Sequence, residues 1–398
     1  MAEAFEGLQA EDDHQVPGAA TDSLSSNTQL GRAVQSACSE LELLSLLAVQ
    51  LLTKEKAISA LSAGLHANCE NYLSFYSSEL SGIVTDPALM IVSVDDHLVH
   101  RGHAVFDTAV ITEGYLYQLD AHLQRFFTSA KKAGLLLPFP AAQIRRIILE
   151  TAAAGKKMHG YVRYWLGAGR GGFGLSPSEC ISPSFYVVAY QAAEDPMRHL
   201  SGWRIKTSRV PAKDPYFATL KSNNYLANAL VAMDAEASGY DQGVFVDEAG
   251  FVAEGPTMNL GVVTHEGELV IPPFERSLAG CTIKRVLELV AQHQETDVGM
   301  WATRDFEAVK KVSQRPLHVK EAKAAKEVFM VGSATKVMPV VVWDDIDFMS
   351  KVSYDRIGVG PGTVTLAMRG LLEDDMDPRS ASGQHTEVPY GILTGMYD

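Results

Sequence analysis

The sequence has little of what marks several classes of protein. It contains only four cysteines, Cys38, Cys69, Cys180 and Cys281, and no two of them form a CxxC pair. This scarcity disfavours a disulfide framework and a zinc site and indicates a reducing compartment. The longest apolar run, "LELLSLLAVQLL" from Leu41 to Leu52, is shorter than the about 20 residues that a membrane-spanning helix needs. We therefore predict no metal site and no membrane partner.

A surplus of basic residues is also missing. Lys and Arg number 34 against 48 Asp and Glu, which gives a formal net charge of −14 and a pI of about 5.3. A nucleic-acid-binding protein would show a basic face, so nucleic acid is not expected as a partner. The first residues, "MAEAFEGLQAEDD", are acidic and resemble neither a secretory signal nor an Arg-rich transit peptide. The predicted location is the cytoplasm, with an organelle expected only if the N-terminus is incomplete.

The chain is long enough for two domains. Its 398 residues are more than one hydrophobic core usually organises. With 46% hydrophobic and 21% charged residues, its composition is that of a globular protein. The patterns mix strands and helices, which predicts two α/β (α+β) domains rather than one doubly wound sheet. We predict an N-terminal extension (1–70, partly disordered, with a helical segment at about 35–65), a small domain (71–192), a larger domain (200–378) and a C-terminal tail (379–398).

Local periodicity and turn residues predict the elements of both domains. In the extension, Leu41, Leu44, Leu47 and Leu51 fall on one helical stripe. For the small domain, we predict a strand over 88–102, a hairpin turning at Glu113-Gly114, helices over 121–134 and 141–155, and strands over 160–169 and 184–191. For the larger domain, we predict a strand over 203–210, a helix from 224 to 239, strands and turns over 242–273, a helix over 280–293, two strands within 327–343 and a helix over 360–376.

One glycine motif is a decoy. The stretch from Gly167 to Gly172 matches G-x-G-x-x-G after a predicted strand. A dinucleotide site also needs that motif to open a helix, whereas prolines and another strand follow here. We interpret the stretch as a loop, and Arg170 at its tip is a candidate partner for a substrate anion.

Two other small-residue breaks are candidates for binding phosphate. "LAGCTIKRV" places Gly280, Cys281 and Thr282 at the start of a helix, where free N–H groups and a hydroxyl favour an anion. "VGSATK" places Ser333 between two apolar strands. Taken alone, the first is equally consistent with a plain capped helix start and the second with a plain turn.

Lys221 and Glu254 indicate a function only when they are considered together. Lys221 stands just before a predicted helix, where the helix dipole disfavours a cation, and Glu254 ends an otherwise apolar strand, where a carboxylate needs a cationic partner or a raised pKa. Each alone is consistent with a solvated surface group. A lysine amine made less basic, a carboxylate for a ring nitrogen and a phosphate site are together what a pyridoxal-phosphate enzyme requires.

These segments carry a family resemblance. "LKSNNYLANAL", "AEASGYDQGVFVDEAGFVAEGPTMNLGVV", "LAGCTIKRVLEL" and "FMVGSATKVMPVV" resemble the fold-type IV (class IV) pyridoxal-phosphate enzymes, from about Tyr76 to Tyr390. With "VHRGHAVFDTAV" and "YWLGAGRGGFGLSPSEC", the sequence is most similar to plant- and alga-type D-amino-acid-aminotransferase-like (branched-chain-aminotransferase-like) proteins. The resemblance implies a small α/β sandwich domain, a larger domain with a pseudo-barrel of mixed strands, pyridoxal 5′-phosphate between them, and a homodimer.

The resemblance also implies roles for individual residues. Lys221 matches the Schiff-base lysine and general acid–base, and Glu254 matches the partner of the pyridine nitrogen. The remaining cofactor-binding positions implied are Arg125, Tyr225, Cys281, Thr282 and Ser333. The substrate-binding positions implied are Phe106, Tyr161, Arg163 and Arg170.

The implied function is transfer of an amino group between an amino acid, of D- or branched-chain type, and a 2-oxo acid by ping-pong kinetics. Two alternatives stay open at this point. One is a 4-amino-4-deoxychorismate lyase, which uses the same lysine to eliminate pyruvate. The other is a non-catalytic protein with this fold that binds a partner.

Overall fold

The computed structural model describes residues 49–65, 67–193, 195, 197–295, 309–348 and 362–391. The predicted disorder of the first residues and the stripe of Leu41, Leu44 and Leu47 lie outside them. Within the predicted helical segment of the extension, helix α1 spans Lys54–Ala63 and buries none of its residues. It belongs to a unit of the chain that ends at Ala63. No helix in the described part of the chain is long and apolar enough to cross a membrane.

The strands and helices alternate irregularly along the chain. The strands are β1 (Tyr72–Ser77), β2 (Gly82–Val84), β3 (Ala104–Thr112), β4 (Tyr115–Tyr117), β5 (Gly160–Gly167), β6 (Ser184–Tyr190), β7 (Trp203–Thr207), β8 (Gln242–Val244), β9 (Asn259–Val263), β10 (Glu268–Ile271), β11 (Lys311–Gln314), β12 (Glu327–Gly332), β13 (Lys336–Trp343), β14 (Ile346–Asp347) and β15 (His385–Glu387). The further helices are α2 (His97–His100), α3 (Leu119–Lys132), α4 (Ala141–Ala154), α5 (Arg198–Ser201), α6 (Pro215–Ala218), α7 (Leu226–Ala237), α8 (Cys281–Glu295), α9 (Val319–Ala324) and α10 (Thr363–Met376). Short 3-10 helices span Ala67–Asn71, Pro87–Leu89 and Pro177–Glu179.

The first sheet is antiparallel and has the order β15-β4-β3-β5-β6-β1-β2. Its β3–β4 hairpin turns at Glu113 (φ 50°) and Gly114 (φ 82°), as predicted. Two positive φ angles suit the right-handed strand twist, and Gly accepts the second at no steric cost. Helices α3 and α4 pack on this sheet over a core that includes Phe126, Ile144 and Ile148.

The second sheet is mixed. Its order is β11-β10-β9-β12-β13-β7-β8, with β14 on β13, and the pairs β10–β11, β7–β13 and β7–β8 are parallel. Helices α8 and α10 cover part of it, and Ile283, Val286 and Val290 on the predicted face of α8 are buried there. Two sheets with flanking helices agree with the predicted α/β (α+β) architecture. The proposed domain limits stay a prediction, and β15, from the segment assigned to the tail, is an edge strand of the first sheet.

The strand predicted over 88–102 is wrong. The chain forms the 3-10 helix at Pro87–Leu89 and the helical turn α2 instead. Asp86 accepts the Ala88 N–H at 3.0 Å and Asp96 accepts the Leu98 N–H at 2.8 Å. Side-chain caps of this kind offer the backbone an alternative to a sheet ladder, so the apolar residues between them do not extend into a strand.

Candidate active site

Lys221 lies in a short segment between α6 and α7. The Phe106 N–H of β3 donates to the Lys221 carbonyl at 2.9 Å, and the Asn223 N–H donates to the Ala104 carbonyl at 3.1 Å. These two bonds pair the lysine segment with β3 across Val105 and Ser222. The helix that follows begins only at Leu226. The backbone therefore fixes Lys221 against the first sheet although its sequence belongs with the second.

The Lys221 amine points into a cavity of about 580 Å³. Its Nζ lies 3.4 Å from the Tyr225 hydroxyl and 4.7 Å from the centre of the Phe106 ring. Burial lowers the pKa of Lys221 to about 8, and the guanidinium of Arg125 acts in the same direction. Burial also raises the pKa of Tyr225. At neutral pH, a usable fraction of the amine is therefore an unprotonated nucleophile and base.

Glu254 is buried, lines a cavity together with Lys221, and has two partners. Lys213 Nζ lies 2.9 Å from its Oε1, and the Leu278 N–H donates to its Oε2 at 3.0 Å. The sequence predicted either a cationic partner or a raised pKa for a buried Glu254, and the structure shows the cation, Lys213. Lys213 comes from the loop after β7, and no spacing rule links that loop to Glu254.

Arg125, Thr282 and Ser333 share one cavity. All three line a small cavity of about 50 Å³ that also contains Lys221, Tyr225 and Glu254. The hydroxyls of Thr282 and Ser333 lie 3.2 Å apart, and Cys281 begins helix α8 there. A guanidinium, two hydroxyls and a helix N-terminus form a site with anion-binding chemistry.

A buried acid that the sequence analysis missed holds Arg125. Asp107 on β3 accepts from Arg125 Nε at 2.8 Å and from Nη2 at 2.7 Å, and the His122 ring lies 2.9 Å from the same carboxylate. Burial opposes its charge, but Arg125 and His122 outweigh that cost, so the pKa of Asp107 is well below its usual value. His122 similarly outweighs burial and lowers the pKa of Cys281. The signal available in the sequence was a single acidic residue, Asp107, in the mostly apolar strand "AVFDTAVIT".

A second missed residue supports the turn that carries Ser333. Arg369 on α10 donates to the carbonyls of Thr335 and Val337 at 3.1 and 3.0 Å, and Glu373 lies 3.0 Å from its Nη2. Lys336 in this turn has a φ of 60°, which costs energy for a residue other than glycine. Arg369 thus anchors a strained turn beside the cavity. Periodicity predicts the helix that carries Arg369, but it does not predict the contact of Arg369 with this turn.

Three of the four predicted substrate-binding residues line the large cavity: Phe106, Tyr161 and Arg163. Arg163 donates from Nε to Thr108 Oγ1 at 3.0 Å, and its guanidinium lies 5.5 Å from the centre of the Phe106 ring. The fourth, Arg170, is not among the residues that line this cavity. Its Nε donates to Asp95 at 2.8 Å, and this bond lowers the pKa of Asp95 to about 2.

The glycine-rich stretch from 167 to 172 begins at the last residue of β5 and continues into the loop that leads to β6. It is followed by the 3-10 helix and β6 rather than by a helix that a dinucleotide could use. Gly169 has a φ of 108°, and a Cβ there would lie 1.7 Å from the Ser182 carbonyl oxygen. The loop interpretation therefore holds, and the glycine is required by close backbone approach.

The donor set of this site suits pyridoxal 5′-phosphate. Anion-binding groups, a buried carboxylate and an amine of lowered pKa line one small cavity. Gly280 matters here because a Cβ would lie 2.0 Å from Asn259 Oδ1. Asn259 also donates to the Leu278 carbonyl at 2.8 Å, so the turn before α8 sits directly against β9 and brings the helix start to the cavity.

A family model described as amino-transferase class IV matches residues 104–343. The chain belongs to the class IV aminotransferases. The match spans β3 to β13 and so covers Lys221, Glu254 and the anion-binding end of the cavity. The predicted family and the predicted pyridoxal-phosphate-dependent transaminase class are confirmed, which favours the aminotransferase over the lyase and the non-catalytic alternative.

Curated relatives and solved structures agree with this assignment. The D-amino-acid transaminase, chloroplastic, of Arabidopsis thaliana is 42% identical over 311 residues, which are 77% of each chain. A putative branched-chain-amino-acid aminotransferase of Methanocaldococcus jannaschii is 29% identical over 66% of this chain and 85% of its own length. The branched-chain amino acid aminotransferase of Thermobaculum terrenum, solved in its PLP-bound holo-form, superimposes with a TM-score of 0.66 at 18% identity, covering 80% of this chain and 99% of that one. The predicted class IV fold is thereby confirmed.

Proposed function

We propose that this aminotransferase uses Lys221 as its cofactor-linking lysine and acts on D-amino acids. The observation that carries the residue assignment is the Lys221 amine, whose pKa of about 8 sets it apart from an ordinary lysine. Lys221 lines both of two adjoining cavities, and the smaller one is also lined by Glu254, Arg125, Thr282 and Ser333. The observation that favours D-amino acids is 42% identity to a D-amino-acid transaminase over 77% of the chain.

The remaining residues of the site divide the work of holding the cofactor. Arg125, Thr282, Ser333 and the first N–H groups of α8 would hold its phosphate, and Cys281 forms part of the same helix start. Glu254 would accept a hydrogen bond from its ring nitrogen. Tyr225, 3.4 Å from the Lys221 amine, would hydrogen-bond to the ring hydroxyl. When bound, pyridoxal 5′-phosphate supplies an electron sink for the carbanion formed at the substrate Cα.

Lys221 is the proton carrier in this scheme. A general base works best when its pKa is near the working pH, and burial brings the amine to that range. Its Nζ is held between the Tyr225 hydroxyl and the Phe106 ring, so it has little freedom to turn away. The same amine would take the proton from the substrate Cα and deliver it to C4′ of the bound cofactor, and the hydroxyl of Tyr225 would keep the amine aligned.

Arg163 is the proposed partner of a substrate carboxylate. It lines the large cavity together with Phe106 and Tyr161. Its Nε is committed to Thr108, which fixes the plane of the guanidinium. A guanidinium matches a carboxylate with two parallel hydrogen bonds. The role implied for Arg170 in substrate binding stays a prediction.

A half-reaction screen tests the substrate assignment. The holoenzyme is mixed with the D- and L-forms of alanine, aspartate and leucine in turn, and loss of the visible absorbance of the lysine-linked cofactor is followed by stopped flow. We expect rapid loss with the D-forms only. Branched-chain L-amino acid activity is the second candidate, because several branched-chain relatives match; faster conversion with L-leucine than with every D-form would select it.

A pair of lysine variants tests the residue assignment. Lys221→Ala should lose turnover and the visible absorbance of the linked cofactor, with an unchanged far-ultraviolet circular dichroism spectrum. The exposed Lys131 on α3 provides the matched control, and Lys131→Ala should keep both properties. Near-normal transamination by Lys221→Ala would refute the assignment.

We also propose that the chain forms a homodimer. Helix α7 buries Val231 and Ala235 but leaves Leu226, Leu230 and Met233 on its other face 74%, 42% and 61% exposed. An apolar stripe of this kind marks an interaction surface. Sedimentation equilibrium should give twice the mass of the 43.2 kDa chain, and Leu226→Lys with Met233→Lys should shift the equilibrium to the monomer.

Two compartments are candidates for the cellular location. The cytoplasm was predicted from the acidic N-terminus, whereas the Arabidopsis relative is named chloroplastic. We propose an organellar location on the strength of that relative. Fluorescence from a fusion of residues 1–70 to a reporter protein tests it, and diffuse cytoplasmic signal in a plastid-bearing cell would contradict it.

A further inference from the structure

Lys213 is a cation of this site to which the proposed mechanism gives no task. It stands in the loop between β7 and α6, and its side chain is 17% exposed. Its Nζ lies 2.9 Å from Glu254 Oε1, 6.0 Å from the centre of the Tyr225 ring and 5.7 Å from that of Phe245. The amine thus faces the same carboxylate that the ring nitrogen of the cofactor would face.

The loop that carries Lys213 is fixed by packing. Its neighbours Val210 and Ala212 pack against the buried cluster of Val231, Phe245 and Ala253. The Phe245 N–H donates to the Glu254 carbonyl at 2.9 Å, so the ring below the ammonium and the carboxylate beside it belong to paired backbone segments. Cation–π contact with two rings adds to the ion pair. Lys213 is therefore held at Glu254 by the fold.

Burial explains why Glu254 needs a cation at all times. Its side chain is 6% exposed, and a buried carboxylate without a partner is costly. The Leu278 N–H satisfies Oε2 but brings no formal charge. Without the cofactor, the cation closest to the carboxylate in the described site is Lys213. With the cofactor bound, a protonated ring nitrogen offers a second one.

We propose that Lys213 is a placeholder counter-ion that keeps the Glu254 carboxylate paired and in position until the cofactor's ring nitrogen arrives. The proposal rests on the proposed role of Glu254 toward that nitrogen. It makes Lys213 a positioning residue. Because two cations then serve one carboxylate, each is worth less when the other is present.

This mutual dependence is a linkage that melting temperatures can measure. A ligand that binds the folded state raises the melting temperature according to its affinity and concentration. If the ring nitrogen replaces Lys213 as the partner of Glu254, then removal of Lys213 harms the cofactor-free protein more than the cofactor-saturated protein. The gain in melting temperature on adding pyridoxal 5′-phosphate must therefore be larger for Lys213→Met than for the wild type.

Lys206 provides a matched control. Its side chain is 16% exposed, and its Nζ lies 3.0 Å from Asp234, away from the residues that line either cavity. Lys206→Met breaks an ion pair whose lysine is equally buried but whose acid, Asp234, is 27% exposed against 6% for Glu254. Because this pair lies outside both cavities, the variant should lower the melting temperature equally with and without cofactor. Lys213→Arg retains a cation and should restore most of the loss seen in Lys213→Met.

The experiment is scanning calorimetry of the full chain with and without saturating pyridoxal 5′-phosphate, for the wild type, Lys213→Met, Lys213→Arg, Lys206→Met, Glu254→Gln and Lys213→Met/Glu254→Gln. In the Glu254→Gln background, Lys213→Met should no longer enlarge the cofactor-induced gain. An equal loss for Lys213→Met in both states would overturn the placeholder role. If Glu254→Gln shows the same cofactor-induced gain in melting temperature as the wild type and an unchanged cofactor spectrum, the role of Glu254 is overturned instead. The two failures are therefore distinguishable.

Discussion

Replacing Lys221 by methionine should change how the stability of the cofactor-free protein depends on pH. Burial lowers the pKa of this amine from 10.5 to about 8 in the folded chain. The unfolded chain therefore binds more protons than the folded chain between these two values. Because the free energy of unfolding rises with pH wherever the unfolded state binds more protons, the wild type should become more stable relative to Lys221→Met across that window.

The size of the effect follows from the two pKa values. The fall from 10.5 to about 8 corresponds to a penalty of about 3 kcal/mol, at roughly 1.4 kcal/mol for each tenfold change in proton affinity. The full penalty applies below about pH 8, where the folded state must carry the buried ammonium. Between about pH 7 and pH 9.5, we expect about 2 kcal/mol of it to be recovered.

Urea unfolding of the cofactor-free protein, followed by tryptophan fluorescence, measures this difference. The free energy of unfolding of the wild type minus that of Lys221→Met is plotted against pH, and Lys131→Met, an exposed lysine variant, supplies the baseline. Titrating groups that do not interact with Lys221 cancel in the difference. A flat difference, or one that falls as pH rises, would show that the Lys221 amine is not desolvated in the folded protein.

Three further outcomes are expected. Asp107→Asn should lower the free energy of unfolding by about 3 kcal/mol, since it leaves a buried guanidinium without its partner, and should weaken pyridoxal-phosphate binding in a fluorescence titration. Gly169→Ala should be strongly destabilising in thermal unfolding, because its Cβ would lie 1.7 Å from a backbone oxygen, whereas Gly134→Ala, with nothing within 4 Å, should cost about 1 kcal/mol through its positive φ alone. Tyr225→Phe should leave the melting temperature within a few degrees of the wild type but lower the rate of the half-reaction.

Local chemistry made much of the fold predictable. The hairpin at Glu113-Gly114 and the end of α4 at Gly155 depend on backbone preferences of a few adjacent residues, and both formed as predicted. The buried face of α8 followed from the spacing of its apolar residues. Where two local preferences competed, the prediction failed: between 88 and 102, the capping carboxylate of Asp96 prevailed over the apolar pattern.

The sequence predicted the functional groups of the site but not the residues that support them. Lys221 and Glu254 stood out because a cation before a helix and a carboxylate on an apolar strand each need an explanation. Their supporting residues did not, because Lys213, Asp107 and Arg369 act through contacts between distant segments. The sequence around a charged residue does not show which distant residue will become its partner in the folded protein.

The pairing of the Lys221 segment with β3 has a mechanical consequence. Two backbone hydrogen bonds attach this segment to the central part of the first sheet, so the Lys221 backbone is tied to the same sheet that carries Phe106 and Arg163. The Ser333 turn and the start of α8 belong to the second sheet and its helices. If the two sheets separate to admit a substrate, Lys221 and Arg125 move with the first sheet, whereas Thr282 and Ser333 move with the second, so the gap divides the phosphate-binding residues.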